Sequence, residues 1–224
     1  MSVTTEPTDA ELLERMASGD REALAIIFRR HQATVFRFSR QMLGSSEAAE
    51  DVTQDVFVAL AKGAVRFNPG VGSLSTYLYG IARNLVLQRY KRSRLRIEVS
   101  IDAVADDDET AFATSSDPDE SMARVQAGRQ LRRAILALPV HYREVVVLCE
   151  LNALSYEDAA AIAGCPVGTV RSRLSRARQM LIERCKPLLA NDRAEGKGQR
   201  AEGKGQIAET QGTKRWLIAT KHNY

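Results

Sequence analysis

Apolar residues recur at intervals of three and four along most of the first 92 positions, the spacing of helices that bury one face. The segment Thr8-Asp9-Ala10-Glu11 offers an N-cap with an early acid, and Gly19-Asp20 breaks the short helix begun there. A longer helix carries Leu24, Ile27, Phe28, Val35, Phe38 and Met42 and ends at Gly44. The next is predicted from about Ser46 to Ala61, with Ala49, Val52, Val56, Ala59 and Leu60 as its core stripe. The turn-rich run Phe67-Asn68-Pro69-Gly70-Val71-Gly72 separates it from a fourth helix, which starts near Ser73. That helix is predicted to bury Leu74, Leu78, Ile81 and Leu85 and to run to the basic cluster Arg89-Tyr90-Lys91-Arg92-Ser93-Arg94-Leu95-Arg96.

Periodicity then lapses. Residues 97–120 hold Asp102, Asp106, Asp107, Asp108, Glu109, Asp117, Asp119 and Glu120 without a Lys or Arg, the composition of an acidic, flexible linker. Helical spacing resumes over 121–190, with a break at Pro139. From 191 onward the chain is Gly-rich and charged, repeats RAEGKGQ twice in tandem, and reads as a disordered tail with an apolar tip at Trp216-Leu217-Ile218. The pattern describes an all-α protein of two small helical domains.

The sharpest local signal lies in the second domain. Ser155 precedes a short alanine-rich helix with Asp158 at its third position, Gly164 supplies a turn, and Pro166 prevents the helix from continuing. A second helix opens at Val167 or Gly168, so the segment reads as a helix-turn-helix. Val167, Val170, Leu174, Ala177 and Leu181 form its core stripe. Its opposite face carries Gly168, Thr169, Ser172, Ser175, Arg176 and Gln179, flanked by Arg171 and Arg173. Small residues, hydroxyls and arginines suit close entry into a major groove, where Arg pairs with guanine and Ser or Gln reaches base edges or phosphates. The alternative is a solvated basic helix, against which the cap, the alanine helix and the Gly-x-Pro turn all count.

Composition narrows the picture. Hydrophobic residues make up 44% of the 224, enough for small cores, while a net charge of +4 says little until its segregation into blocks is noticed. Cys149, Cys165 and Cys185 form no CxxC pair and no Cys/His cluster, which suits apolar thiols in a reducing cytoplasm and predicts no metal site. No basic leader leading into an apolar run and no stretch of about 18 apolar residues appears, so neither a signal peptide nor a membrane span is expected. No phosphate-binding loop, nucleophile elbow or catalytic carboxylate pair is visible, so neither catalysis nor a cofactor is expected.

Two surfaces of the first domain remain. The 46–61 helix leaves Glu47, Glu50, Asp51 and Gln54 outside its core stripe with Phe57 and Val58 beside them. Acids around an exposed aromatic fit a docking face for a basic protein; the bland reading is a solvated face with Phe57 tucked under a neighbour. On the fourth helix Tyr77, Asn84, Gln88 and Lys91 share a flank, with Arg83 and Leu87 further round. An aromatic, an amide and cations together suit single-stranded DNA.

The combination of Glu50-Asp51-Val52-Thr53-Gln54-Asp55-Val56-Phe57, Leu74-Ser75-Thr76-Tyr77-Leu78-Tyr79-Gly80-Ile81-Ala82-Arg83-Asn84, Leu138-Pro139-x-x-Tyr142-Arg143 and Gly168-Thr169-Val170-Arg171-Ser172-Arg173-Leu174-x-Arg176-Ala177-Arg178 resembles the extracytoplasmic-function class of bacterial sigma factors across residues 10–188. The resemblance implies sigma region 2 at 8–96, a linker at 97–120 that threads the polymerase channels, sigma region 4 at 121–190 and a tail at 191–224. It implies that Glu50, Asp51, Gln54, Asp55 and Phe57 bind the clamp of the largest subunit of core RNA polymerase. The minus-ten element, melted with one base flipped out, is expected on Ser73, Leu74, Tyr77, Arg83, Asn84 and Lys91. The minus-thirty-five duplex is expected on Thr169, Arg171, Ser172, Arg173, Ser175 and Arg176, with the flap of the second-largest subunit nearby. An anti-sigma factor and a role in stress response are further implications. A response regulator fits poorly, since no strand–helix alternation precedes the second domain, and a sigma mimic without DNA binding would not need the arginines of the last helix.

Overall fold

The computed structural model describes residues 6–63, 67, 72–97 and 118–195, with side chains over 6–63, 67, 72–92 and 126–185. The turn residues 68–71, the stretch 98–117 and the tail from 196, with the second RAEGKGQ copy and all but the first three residues of the first, lie outside the described residues. Among the described residues every regular element is helical, and the chain divides into two compact units.

The first unit contains α1 (Asp9–Ala17), α2 (Arg21–Leu43), α3 (Ser46–Ala61) and α4 (Leu74–Ile97). Local chemistry sets each start. The Thr8 hydroxyl accepts from the Glu11 amide at 3.3 Å while the Glu11 carboxylate accepts from the Thr8 amide at 2.7 Å, a reciprocal capping box. Asp20 caps α2 through the amides of Glu22 and Ala23, and Ser45 caps α3 through the amide of Ala48. Gly44 ends α2 in the left-handed conformation with φ 79°, which a β-carbon disfavours.

Packing then selects faces. Leu12 of α1, Ile27, Val35, Phe38 and Met42 of α2, and Val52, Val56 and Leu60 of α3 are buried together with Leu74, Leu78, Tyr79, Ala82 and Val86 of α4. The α4 stripe differs from the predicted one: Ile81 and Leu85 are only half-buried, and Ala82 and Val86 take their places. Tyr79 meets Phe38 edge-on at 5.2 Å, which turns the helix toward the 74-78-82-86 stripe. A buried polar node ties α1 to α2 and α4. His31 contacts the Asp9 carboxylate through Nε2 at 2.9 Å and the Ser75 hydroxyl through Nδ1 at 3.4 Å.

The second unit contains α5 (Pro118–Leu136), α6 (Val140–Val146), a π-helical turn (Val147–Leu151), α7 (Tyr156–Ala163) and α8 (Val167–Glu195). Helix α5 thus begins three residues inside the expected linker, and α8 runs five residues into the expected tail. The Leu-Pro-x-x-Tyr-Arg motif has a local explanation. Pro139 caps α6, and the guanidinium of buried Arg143 folds back to donate to the carbonyls of Leu136 and Leu138, the latter at 3.1 Å. It thereby satisfies acceptors that the end of α5 leaves open. Leu131, Ile135, Leu138, Val145 to Leu148, Ile162, Val170, Leu174, Ala177 and Leu181 fill the core. No helix among the described residues is long and apolar enough to cross a membrane.

Candidate nucleic-acid interface

The α7–α8 pair has the anticipated helix-turn-helix geometry. The Ser155 hydroxyl accepts from the Asp158 amide at 3.0 Å and donates to the Asp158 carboxylate at 2.6 Å, closing the first turn of α7. Gly164 ends α7 at φ 62°, and Pro166 stands immediately before α8. Val170, Leu174, Ala177 and Leu181 of α8 are buried, joined by Cys185, while Val167 is half-buried.

The face turned away from that stripe exposes Gly168, Arg171, Ser172, Ser175, Arg176 and Gln179. Thr169 and Arg173 are half-buried on its margins. The Ser172 hydroxyl donates back to the Thr169 carbonyl at 3.0 Å, which leaves its oxygen lone pairs facing out. Arg173 reaches the Cys165 sulfur at 3.8 Å, so its guanidinium lies along the turn and not at the centre of the face. Helix α8 gives Gly168 a normal φ, and a β-carbon there would meet nothing within 4 Å. Internal packing therefore does not require glycine at this position.

Arg178 departs from the sequence reading, which grouped it with the other arginines of α8. It is paired instead with Glu150 of the π-helical turn, its Nε donating at 3.1 Å and a terminal nitrogen closer still. Both side chains are largely buried, at 18% and 16% exposure. Burial pulls the Arg178 pKa down, but hydrogen bonding and the charge of Glu150 more than restore it, so the guanidinium stays charged. Arg171 lies over the ring of Tyr156, 5.8 Å from its centroid, a contact that sequence spacing did not suggest. Near the pair, burial and the charge of Glu150 push the Cys149 thiol up to about 11, leaving it protonated.

In the first unit the α4 flank is present with one correction. Ser73, Asn84 and Lys91 are exposed, and Tyr77 and Arg83 are half-buried. Leu74, expected to touch DNA, is 2% exposed and belongs to the core stripe. Ser73 caps α4 by accepting from the Thr76 amide at 3.1 Å. Tyr77 packs edge-on against Phe67 at 5.4 Å, and its hydroxyl is buried without a hydrogen-bond partner among the described residues.

On α3, Glu50, Asp51, Gln54 and Asp55 are exposed as expected. Phe57 is not: it is 5% exposed and lies edge-on to Phe28 at 4.8 Å. The apolar surface at this face belongs to Val58, 48% exposed, on the rim of a groove of about 570 Å³ between α2 and α3. Leu24, Phe28 and Phe57 contribute to its lining, with Gln54 beside Val58. Asp51 and Asp55 both engage Arg89 of α4, at 3.3 and 3.5 Å. Sequence analysis missed the α2 side of this groove, although Leu24 and Phe28 sit just off the buried stripe of Ala23, Ile27 and Val35, a displacement visible in their spacing.

Comparison with known proteins adds an independent line. Residues 27–96 match the family model of Sigma-70 region 2, and residues 128–181 match that of Sigma-70, region 4. The chain is 33% identical over 180 residues to the ECF RNA polymerase sigma factor SigE of Mycolicibacterium smegmatis, covering 79% of this chain and 67% of that one. It is 31% identical over 190 residues to the RNA polymerase sigma-H factor of Pseudomonas aeruginosa, covering 83% of this chain and 97% of the relative. Among solved structures it is similar to the sigma factor RpoE in complex with the anti-sigma factor NepR from Bartonella quintana. That match has 26% identity and a TM-score of 0.58 and covers 72% of this chain and 96% of the other.

Proposed function

Because this chain belongs to the extracytoplasmic-function (ECF) class of RNA polymerase sigma factors, we propose that its two units divide promoter recognition between them. The observation that carries this reading is the exposed Gly168/Ser172/Ser175/Arg176 face of α8, presented by a capped helix-turn-helix. Region 4 (121–190) reads the minus-thirty-five duplex. Arg176, Ser172 and Ser175 meet base edges at the centre of the face, and Thr169, Arg171 and Arg173 contact its margins. Gly168 lets the DNA backbone come close to the start of the helix.

Region 2 (8–96) melts the minus-ten element and holds its single strand along α4. Tyr77 and Phe67 offer a stacking platform, and Arg83, Asn84 and Lys91 hold the strand. The α2–α3 groove with Glu50, Asp51, Gln54 and Asp55 docks on the clamp of the largest polymerase subunit, and region 4 approaches the flap of the second-largest. The acidic linker, which α4 and α5 shorten to 98–117, serves the polymerase channels. A dedicated anti-sigma factor holds the chain inactive, a proposal supported by the likeness to RpoE bound to NepR.

Run-off transcription with core polymerase on a genomic library is the direct test. Start sites that share an upstream motif are expected only when the chain is added, and starts without a shared motif would count against promoter reading. The docking face makes a separate prediction. Val58→Asp places a charge at the apolar rim of the groove, where a partner strips away its water. Affinity for core polymerase is expected to fall about tenfold, with helical content and thermal midpoint unchanged. Unaltered affinity would remove this groove from the polymerase interface.

A further inference from the structure

One cluster beside α8 adds a residue to that division of labour: an aromatic ring on the first helix of the motif touches two arginines of the second. Tyr156 is the first residue of α7 and is half-buried. Arg171 and Arg178 lie seven residues apart on α8, about two turns, and so share one edge of that helix. Arg178 is fixed from below by Glu150, and the Tyr156 hydroxyl adds to its hold. Arg171 is exposed, yet its guanidinium is drawn over the Tyr156 ring at 5.8 Å.

We infer that Tyr156 is a positioning residue for Arg171, orienting its guanidinium toward promoter DNA before the DNA arrives. The inference rests on the assignment of α8 as the minus-thirty-five reader. Its physical basis is entropic. A free arginine has four rotatable side-chain bonds and loses much of that freedom when it docks on nucleic acid. A ring beneath the guanidinium narrows the choice in advance, because the negative face of the aromatic system attracts the cation without occupying its N–H donors. The ring itself is held by its place at the start of α7 and by the buried Glu150–Arg178 pair, so it offers Arg171 a fixed surface.

The test compares promoter binding by holoenzyme carrying the wild-type chain, Arg171→Ala, Tyr156→Leu, Tyr156→Phe and the Tyr156→Leu/Arg171→Ala double variant. Arg171→Ala is expected to weaken binding by about tenfold or more. Tyr156→Leu is expected to cost about three- to fivefold, the size of an exposed cation–π contact. Tyr156→Phe keeps the ring face and is expected to bind as the wild type does. The double variant is expected to bind no worse than Arg171→Ala alone, because an orienting ring has nothing left to orient. A purely structural role would carry its cost into the double variant, and full additivity overturns the positioning role while leaving the reading of α8 intact. Loss of binding in Tyr156→Phe equal to that in Tyr156→Leu overturns it as well, since it would assign the effect to the hydroxyl. Wild-type binding by Arg171→Ala overturns the contact of Arg171 with DNA and the inference with it.

Discussion

Replacing Glu150 with alanine is expected to remove about 3–5 kcal/mol from the stability of the carboxy-terminal unit, more than any single change to its DNA-facing side chains. The reason is asymmetry. The Glu150–Arg178 pair is largely out of water, so its attraction is offset by the cost of desolvating two charges, and the intact pair adds little net stability. Deleting only the carboxylate leaves the guanidinium buried with its charge uncompensated. An arginine cannot escape by losing its proton. Glu150→Leu with Arg178→Met, which removes both charges and keeps the volume, is expected to restore most of the loss. Urea unfolding of the full chain, with hydrogen exchange of α8 amides to assign the transition, measures both. A loss below about 1 kcal/mol in Glu150→Ala would mean that Arg178 finds water and that the pair is a surface contact.

Arg176→Ala is expected to cost about 1–3 kcal/mol on the preferred promoter and to relax the base requirement at one minus-thirty-five position. Arg176 is exposed at the centre of the face opposite Val170, Leu174 and Ala177, where a side chain entering the groove meets base edges. Arg173 lies on the margin with its guanidinium along the Cys165 turn, the place for a backbone contact. Arg173→Ala is therefore expected to weaken all sequences alike and to flatten the salt dependence by roughly one phosphate contact. Holoenzyme binding to a randomised minus-thirty-five library at two salt concentrations separates the two. If the variants exchange these behaviours, the face of α8 is rotated relative to the DNA.

The start of α3 at Ser46, the end of α2 at Gly44 and the whole of the Ser155–Pro166 cap-and-turn were legible in the chain because their causes are local. A cap, a left-handed glycine and a proline act within one turn of where they stand. The buried stripe of α4 was not legible, because Ile81, Ala82, Leu85, Val86 and Leu87 make that helix apolar on several sides. Which side goes inward is decided by Phe38, two helices earlier in the chain, meeting Tyr79. Phe57 belongs to the same class: its place on α3 was clear, but only Phe28 on α2 decides that it is covered. Among the arginines of α8, residue type gave no ranking. Arg178 does sit beside Ala177, between Leu174 and Leu181, and that position on the edge of the core stripe is a sign of burial. Its partner 28 residues away carries no local mark.

The π-helical turn at Val147–Leu151 gives the carboxy-terminal unit a property that no side chain holds, which is phase. Such a turn contains one residue more than an α-helical path would use, and each residue of helix rotates the succeeding backbone by about 100° and advances it by about 1.5 Å. Glu150 stands inside that turn, and Asn152 closes it by donating its amide to the Val147 carbonyl at 3.0 Å. A chain one residue shorter here would keep every cap, every core leucine and every arginine of α8. It would nonetheless bring Glu150 round to a different bearing from the one that meets Arg178. In this stretch the number of residues is thus constrained as well as their identity.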